Sequence, residues 1–222
     1  LGVLTWWAVR GAARPDLGEM AGAVIRTSGV SVLAAVAAVA VVLPVAVLTE
    51  RHRGRLAEVP NALVIGGFAL PGIVIAFALG RLALALPEAL GFLYQSLPLL
   101  VLAYVVHFGA QALRAGQVAV GGLPRRMGDA ARMLGAGRVR RLATVELPLM
   151  GPGLVSGAGL VLLSTMKELP ATLLLAPTAF DTLATRIWGA HQAWFLAETG
   201  FTSLVLVALA GTLTWVLILR RA

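Results

Sequence analysis

Apolar residues run along this chain in blocks long enough to cross a bilayer, separated by short polar stretches. A spanning helix needs roughly 20 mostly apolar residues. "SGVSVLAAVAAVAVVLPVAVLTE" (28–50) has that length, as does "NALVIGGFALPGIVIAFALG" (61–80), which "RLALAL" extends. "LGFLYQSLPLLVLAYVVHFGAQAL" (90–113) is a third block. "GPGLVSGAGLVLLSTM" (151–166) is shorter, but "LPATLLLA" follows it, and "ETGFTSLVLVALAGTLTWVLILRR" (198–221) ends the series. The pattern predicts an all-α membrane protein with about five transmembrane helices. Pro44, Pro71 and Pro98 fall inside the predicted spans, where neighbouring helices can satisfy the carbonyls that proline frees. Gly66, Gly67, Gly72, Gly157 and Gly159 offer small faces for close helix packing. Residues 1–27, with Pro15, Asp16, Glu19 and Arg26, are expected to form a periplasmic or interfacial lead-in to a transmembrane domain over 28–222.

Composition agrees with the pattern. Hydrophobic residues make up 59% of the 222 and charged residues 13%. Soluble domains carry about 45–50% and about 25%. Mean hydropathy is +0.90. Cysteine is absent, which excludes disulfides and thiolate metal sites. Leu1 is not an initiator methionine, as expected of a processed chain or one cut from a longer polypeptide. Residues 1–8 are apolar but lack a preceding basic residue, and Arg10 follows too soon for a secretory signal.

The net charge of +8 and pI near 11.5 would suggest nucleic acid in a soluble domain. Position argues otherwise. Arg51, Arg53 and Arg55 lie between the first two spans. Arg114, Arg125, Arg126, Arg132, Arg138, Arg140 and Arg141 lie between the third and fourth, and Arg220 and Arg221 end the chain. Five crossings with the N-terminus outside put these 12 of the 18 basic residues on one side, which the positive-inside rule makes cytoplasmic. The arginines then serve as orientation signals with an affinity for anionic lipid heads, and no nucleic-acid partner is expected.

Residues 114–150 are too long for a simple connection. In "LPRRMGDAARMLG" (123–135), Pro124 suits a first helical turn, and Met127, Ala130, Ala131 and Leu134 share one helical face. Gly135 and Gly137 permit a turn, and "RVRRLATVEL" is expected to form a second short helix that Pro148 limits. Pattern alone leaves two readings open: an amphipathic helix lying on lipid, or a docking element whose small alanines admit a partner closely.

These residues resemble the EAA motif of ATP-binding cassette (ABC) importer permeases: Glu-Ala-Ala, three residues, glycine, nine residues, an aliphatic residue, any residue, Leu-Pro. Here Asp129-Ala130-Ala131 precedes Arg132, Met133, Leu134 and Gly135; nine residues lead to Val145, and Glu146, Leu147 and Pro148 complete the pattern. Asp129 in place of glutamate keeps the charge and shortens the reach by one methylene. The resemblance implies the type I ABC importer permease fold, of the MetI-like kind. It also implies that Asp129, Ala130, Ala131, Gly135, Leu147 and Pro148 belong to a coupling element seated in a groove of a separate ATPase subunit. The chain has no GxxxxGK[ST] phosphate loop, so it is expected to be a transport subunit rather than an enzyme, with no cofactor bound directly and ATP and Mg²⁺ on the partner.

A second stretch narrows the likeness. Lys167–Thr172 ("KELPAT") and Phe180–Arg186 ("FDTLATR") resemble the corresponding segments of ferric-iron ABC permeases, which commonly contain two homologous halves; this chain resembles the C-terminal half. Ionisable groups at membrane depth are functional candidates, so Gly72, Lys167, Glu168 and Asp181 are candidates for the translocation pathway. The alternative is that Lys167 and Glu168 sit at the outer interface, paired with each other or solvated. Ferric iron prefers oxygen ligands, and the spacing of Tyr94, Tyr104, Glu88, Glu168, Asp181 and Glu198 makes no ligand cluster; no metal site is expected, and His107 is expected to be a packing or pathway residue.

The resemblance therefore implies an importer of ferric iron working by alternating access in a bacterial inner membrane. Its partners would be an ATPase subunit dimer, an external or periplasmic substrate-binding protein, a second permease half or a second copy, and lipid. Thiamine, polyamine or another cargo is the alternative within the same class. An ion-coupled secondary transporter predicts inverted repeats and paired intramembrane carboxylates, and the sequence has neither. A non-transport membrane scaffold is the remaining rival.

Overall fold

The computed structural model describes residues 1–10, 17–51, 54–124, 127, 132–133, 135 and 137–218. Its elements are helical throughout, with no strand among the described residues. They are α1 (Gly2–Arg10), α2 (Leu17–Arg51), α3 (Arg55–Ala69), α4 (Gly72–Leu84), a 3₁₀ turn at Glu88–Leu93 and α5 (Leu97–Gly121). After the motif segment come α6 (Arg138–Arg141), a π-helical turn (Leu142–Glu146), α7 (Leu147–Met166), α8 (Pro170–Leu175), α9 (Leu183–Gln192) and α10 (Leu196–Ile218). Four helical runs among the described residues are long and apolar enough to cross a membrane: α2, α5, the run Val139–Met166 and α10. α3 and α4 together make a fifth crossing only as a bent pair.

Two expected spans change shape because of a proline, and a third is longer than expected in spite of one. The block at 61–80 is two helices meeting at 112° across Leu70 and Pro71. Pro71 is the residue before α4, and its fixed φ suits a helix start rather than an interior. Pro98 is likewise not interior. It stands in the first turn of α5, just after Ser96, whose hydroxyl accepts from the Leu99 amide at 3.3 Å. Pro44 does lie inside α2. Pro148 does not end the helix before it: backbone helix continues from Arg138 through Met166. The π turn explains this. A proline has no N–H for the carbonyl four residues back and clashes with it. Here the widened turn, with the Leu147 amide donating to the Leu142 carbonyl, absorbs the mismatch just ahead of Pro148.

The expected boundary at residue 27 does not coincide with a helix end, because α2 runs through it from Leu17. At about 1.5 Å per residue α2 is about 52 Å long, well beyond a bilayer core of about 30 Å. The part before residue 28 is clamped to α9 and α10. Arg186 Nη1 pairs with Glu19 Oε2 at 3.0 Å and Arg186 Nε donates to Glu198 Oε1 at 2.8 Å. Burial pulls the Arg186 guanidinium down, but the hydrogen bonds to Glu198 and Glu19 outweigh it and hold it above its ordinary value. Arg26 Nε donates to the Asp181 carbonyl at 2.8 Å, and the Leu183 amide donates to Thr27 Oγ1 at 2.8 Å. α1 lies on α10, with the backbone of Leu4 and Ala8 against Gly200.

α2, α5 and α7 form the centre of the bundle, joined by buried Ala38, Val42 and Ala46 of α2, Leu100, Tyr104 and Leu113 of α5 and Val161 and Met166 of α7. Small residues set how closely they approach. A Cβ on Gly157 would stand 2.8 Å from Ala115 Cβ and 3.2 Å from Ala112 Cα; one on Gly153 would stand 2.7 Å from Ala119 Cβ. Gly153 and Gly157 make a Gly-x-x-x-Gly face, which lets α7 touch α5 almost backbone to backbone. Gly67 meets the Val106 carbonyl in the same manner, whereas Gly66 faces open space. Gly157→Val is therefore expected to lower the stability of the detergent-solubilised protein by about 1–3 kcal/mol through overpacking. Gly211→Ala, where a Cβ meets nothing within 4 Å, should leave it unchanged. Thermal unfolding of both variants checks this, and equal shifts would refute the seam.

Candidate functional site

Two regions carry the polar chemistry. The first is the motif segment. Asp129, Ala130 and Ala131 lie outside the described residues. Met127, Arg132 and Met133 are helical, and Gly135 closes the turn with φ +76° while its amide donates to the Arg132 carbonyl at 2.9 Å. That φ lies in the left-handed region, which glycine adopts without steric cost. Met127 and Met133 are exposed, Met133 at 90%. Leu147 and Pro148 form the first turn of α7, so the two ends of the motif differ in character: the first presents apolar side chains outward, and the second is the root of a membrane span.

Between them lies a buried ion cluster. Glu146 is 5% exposed and Arg141 8%. Arg141 Nε donates to Glu146 Oε1 at 3.0 Å, and Arg51 Nη2, at the end of α2, reaches the same oxygen at 3.2 Å. Two residues before Arg51, Thr49 Oγ1 of α2 accepts from Gln117 Nε2 of α5 at 3.0 Å, and the same amide donates to Asn61 Oδ1 of α3 at 2.9 Å. The end of α2, the start of α3, the end of α5 and the turn leading into α7 thus meet beside Arg51 and Arg141.

The second region lies where two helix breaks face each other. One is the α3–α4 break at Leu70–Pro71; the other is the α7–α8 break at Lys167–Leu169. A Cβ on buried Gly72 would stand 2.6 Å from Glu168 Oε1, 2.9 Å from His107 Cε1 and 3.0 Å from His107 Nδ1. Glu168 Oε1 accepts from the Ala171 amide at 3.2 Å, satisfying an otherwise free donor in the first turn of α8. Thr172 Oγ1 donates to the Glu168 carbonyl at 2.7 Å and lies 2.6 Å from the Tyr104 hydroxyl, which must then be the donor in that contact. The His107 ring stacks on Phe108 with centroids 4.3 Å apart and meets Phe68 edge-on. His107 Nδ1 is buried with no hydrogen-bond partner among the described residues.

Of the four pathway candidates, the structure brings Gly72 and Glu168 together and adds His107, Tyr104 and Thr172. Lys167 is exposed at the end of α7, with no ion pair to Glu168 among the described residues. Asp181 is exposed ahead of α9, in the clamp with Arg26 rather than beside Glu168. Among the described residues no group of three or more histidine or acidic side chains is placed to hold a metal.

Residues 42–222 match the model of the family described as binding-protein-dependent transport system inner membrane component. The chain belongs to that family. It is an ABC importer permease, a multi-pass membrane protein and a transport subunit. It is 28% identical over 213 residues to the Fe(3+)-transport system permease protein FbpB 2 of Haemophilus influenzae, covering 94% of this chain and 41% of the relative. It is 33% identical over 184 residues to a probable molybdenum ABC transporter permease protein of Haloferax volcanii, covering 80% of this chain and 67% of the relative. The chain thus spans less than half the length of the iron relative. Among solved structures it matches an inward-facing MetNI methionine ABC transporter with a TM-score of 0.69 at 18% identity, covering 96% of this chain and 94% of that one. It matches a bacterial ABC transporter involved in alginate import with a TM-score of 0.66 at 13% identity, covering 99% and 87%. The fold is therefore that of type I ABC importer permeases.

The contacts at Gly72 give a direct test. Gly72→Ala is expected to force Glu168 and His107 off their present positions at a cost of about 1–3 kcal/mol. Cargo uptake by the assembled importer should then fall, with the ATPase subunit still bound. Uptake equal to that of the unaltered chain would remove this cluster from the candidate pathway.

Proposed function

We propose that this chain is one membrane half of a ferric-iron ABC importer in a bacterial inner membrane. An external binding protein delivers cargo to the outer face. A dimer of separate ATPase subunits, carrying ATP and Mg²⁺, engages the segment around Asp129–Gly135. Its closure moves the rooted end at Leu147–Pro148, tilts the spans and exchanges inward for outward access. A second permease half, or a second copy, completes the membrane layer. The chain binds no cofactor of its own and makes no covalent bond with cargo.

The motif spacing carries the coupling part of this reading: Asp129 to Pro148 keeps every fixed position but one, and the segment bears an exposed Met127 and Met133. The iron assignment rests on the Lys167–Thr172 and Phe180–Arg186 segments and on the 28% identity to an iron-system relative over 94% of the chain. The 33% identity to a probable molybdenum permease favours a molybdenum cargo as the second reading.

Ala131→Arg with Gly135→Arg should abolish co-purification of the ATPase subunit and reduce uptake by about tenfold or more, as loss of a central docking contact does. If both are unaffected, the coupling reading fails. In proteoliposomes, an iron-loaded binding protein should stimulate ATP hydrolysis. Stimulation by a molybdate, thiamine or polyamine binder, but not by the iron binder, overturns the cargo assignment.

A further inference from the structure

The geometry points to Glu146 and Arg51 as a latch that passes motion of the coupling segment to α2. This rests on the coupling reading above and goes beyond it, because the motif tolerates any residue at the Glu146 position. Backbone continuity already connects the segment to α7: helix runs without a break from Arg138 to Met166. α2 has no such connection. It does pack on α7 in the bundle core, and among the described residues its ion pair with the turn ahead of α7 is Arg51–Glu146 at 3.2 Å, on a carboxylate that the neighbouring Arg141 guanidinium holds in place at 3.0 Å.

Burial of Glu146 against Arg141 makes that end of the joint stiff. Glu146 cannot easily leave its place, since that would strand Arg141, itself 8% exposed, without a counter-charge. Arg51, whose side chain is 36% exposed, is the adaptable member. From α2 the path continues: Thr49 and Asn61 share the Gln117 amide, so a shift at the end of α2 displaces α3 as well. The far end of α3 is the Leu70–Pro71 break beside Gly72, His107 and Glu168. The latch therefore joins the ATPase side of the molecule to the polar cluster through contiguous contacts, the physical requirement for coupling between separated sites. Glu146 and Arg51 are positioning residues and touch no cargo.

The test uses the assembled importer in proteoliposomes and reads cargo moved per ATP hydrolysed. Arg51→Gln leaves the buried Arg141–Glu146 pair intact, and the complex should assemble with its ATPase subunit. The ratio should drop by about threefold, the scale of a partly exposed ion pair, and Arg51→Lys should restore it. Glu146→Gln should lower the ratio at least as far, and the double variant should be no worse than Glu146→Gln alone, because both act through one contact. Should Glu146→Gln fail to assemble, Glu146→Asp takes its place in the cycle. An unchanged ratio in Arg51→Gln overturns the latch, as does a double variant equal to the product of the two single effects. Loss of the ATPase subunit from Arg51→Gln also overturns it, by making Arg51 a docking contact. Absence of cargo-stimulated hydrolysis in the unaltered importer would sink the coupling reading instead.

Discussion

Gly153 and Gly157 of α7 meet Ala112, Ala115 and Ala119 of α5 at almost backbone distance, and the rest of the bundle is arranged around that seam. In lipid, burying leucine against leucine gains little over burying it against acyl chains. Association then depends on how many atoms two helices can bring into van der Waals contact, and small residues permit the most. Gly116 against Ala46 extends the same logic from α5 to α2. Once α2, α5 and α7 are locked in this way, the remaining helices can be broken without loss of the fold.

The breaks are where the chemistry collects. A bilayer core offers no water to a free amide or carbonyl, so interrupted helices survive there only when protein groups satisfy the loose ends. At the α7–α8 break, Glu168 does this for Ala171, and Thr172 with Tyr104 does it for the Glu168 carbonyl. At the α3–α4 break, Pro71 removes one donor outright. Gly72 then allows the two interruptions to touch. An imidazole and a phenol from α5, at positions 107 and 104, converge there with the carboxylate at position 168 in the α7–α8 break.

The basic side has a different economy. Its arginines outnumber its acids, a bias of the kind that orients helices in a membrane. Some of them also hold the structure together, as Arg114 does by donating to Gln117 Oε1 at 3.2 Å. Arg141 and Arg51 share one buried carboxylate oxygen, which ties a span end to the segment that precedes α7. A single buried acid with two cations leaves the cluster positive, and the partial exposure of Arg51 lets solvent meet that excess charge.

Much was already present in the linear sequence: the apolar blocks, the one-sided arginines, the motif spacing and the glycine that takes a left-handed φ at 135. These follow from local rules of length, charge and conformation, which need no partner to operate. Other features were not legible. Arg141 and Glu146 stand five apart, a spacing that a regular α-helix sends to different faces; only the π turn ahead of Pro148 brings them together. Pro71 and Pro98 looked alike within apolar runs, yet one breaks a span and the other begins one, because Ser96 caps α5 and no side chain caps α4. His107 gave no sign of facing Glu168 across Gly72, since 61 residues separate the two. The sequence by itself determined that this chain carries membrane-spanning helices of the ABC permease kind, because length and apolarity are local properties. Which polar groups meet inside, and which helix ends they join, was decided by helix packing, because those contacts join residues that no local periodicity relates.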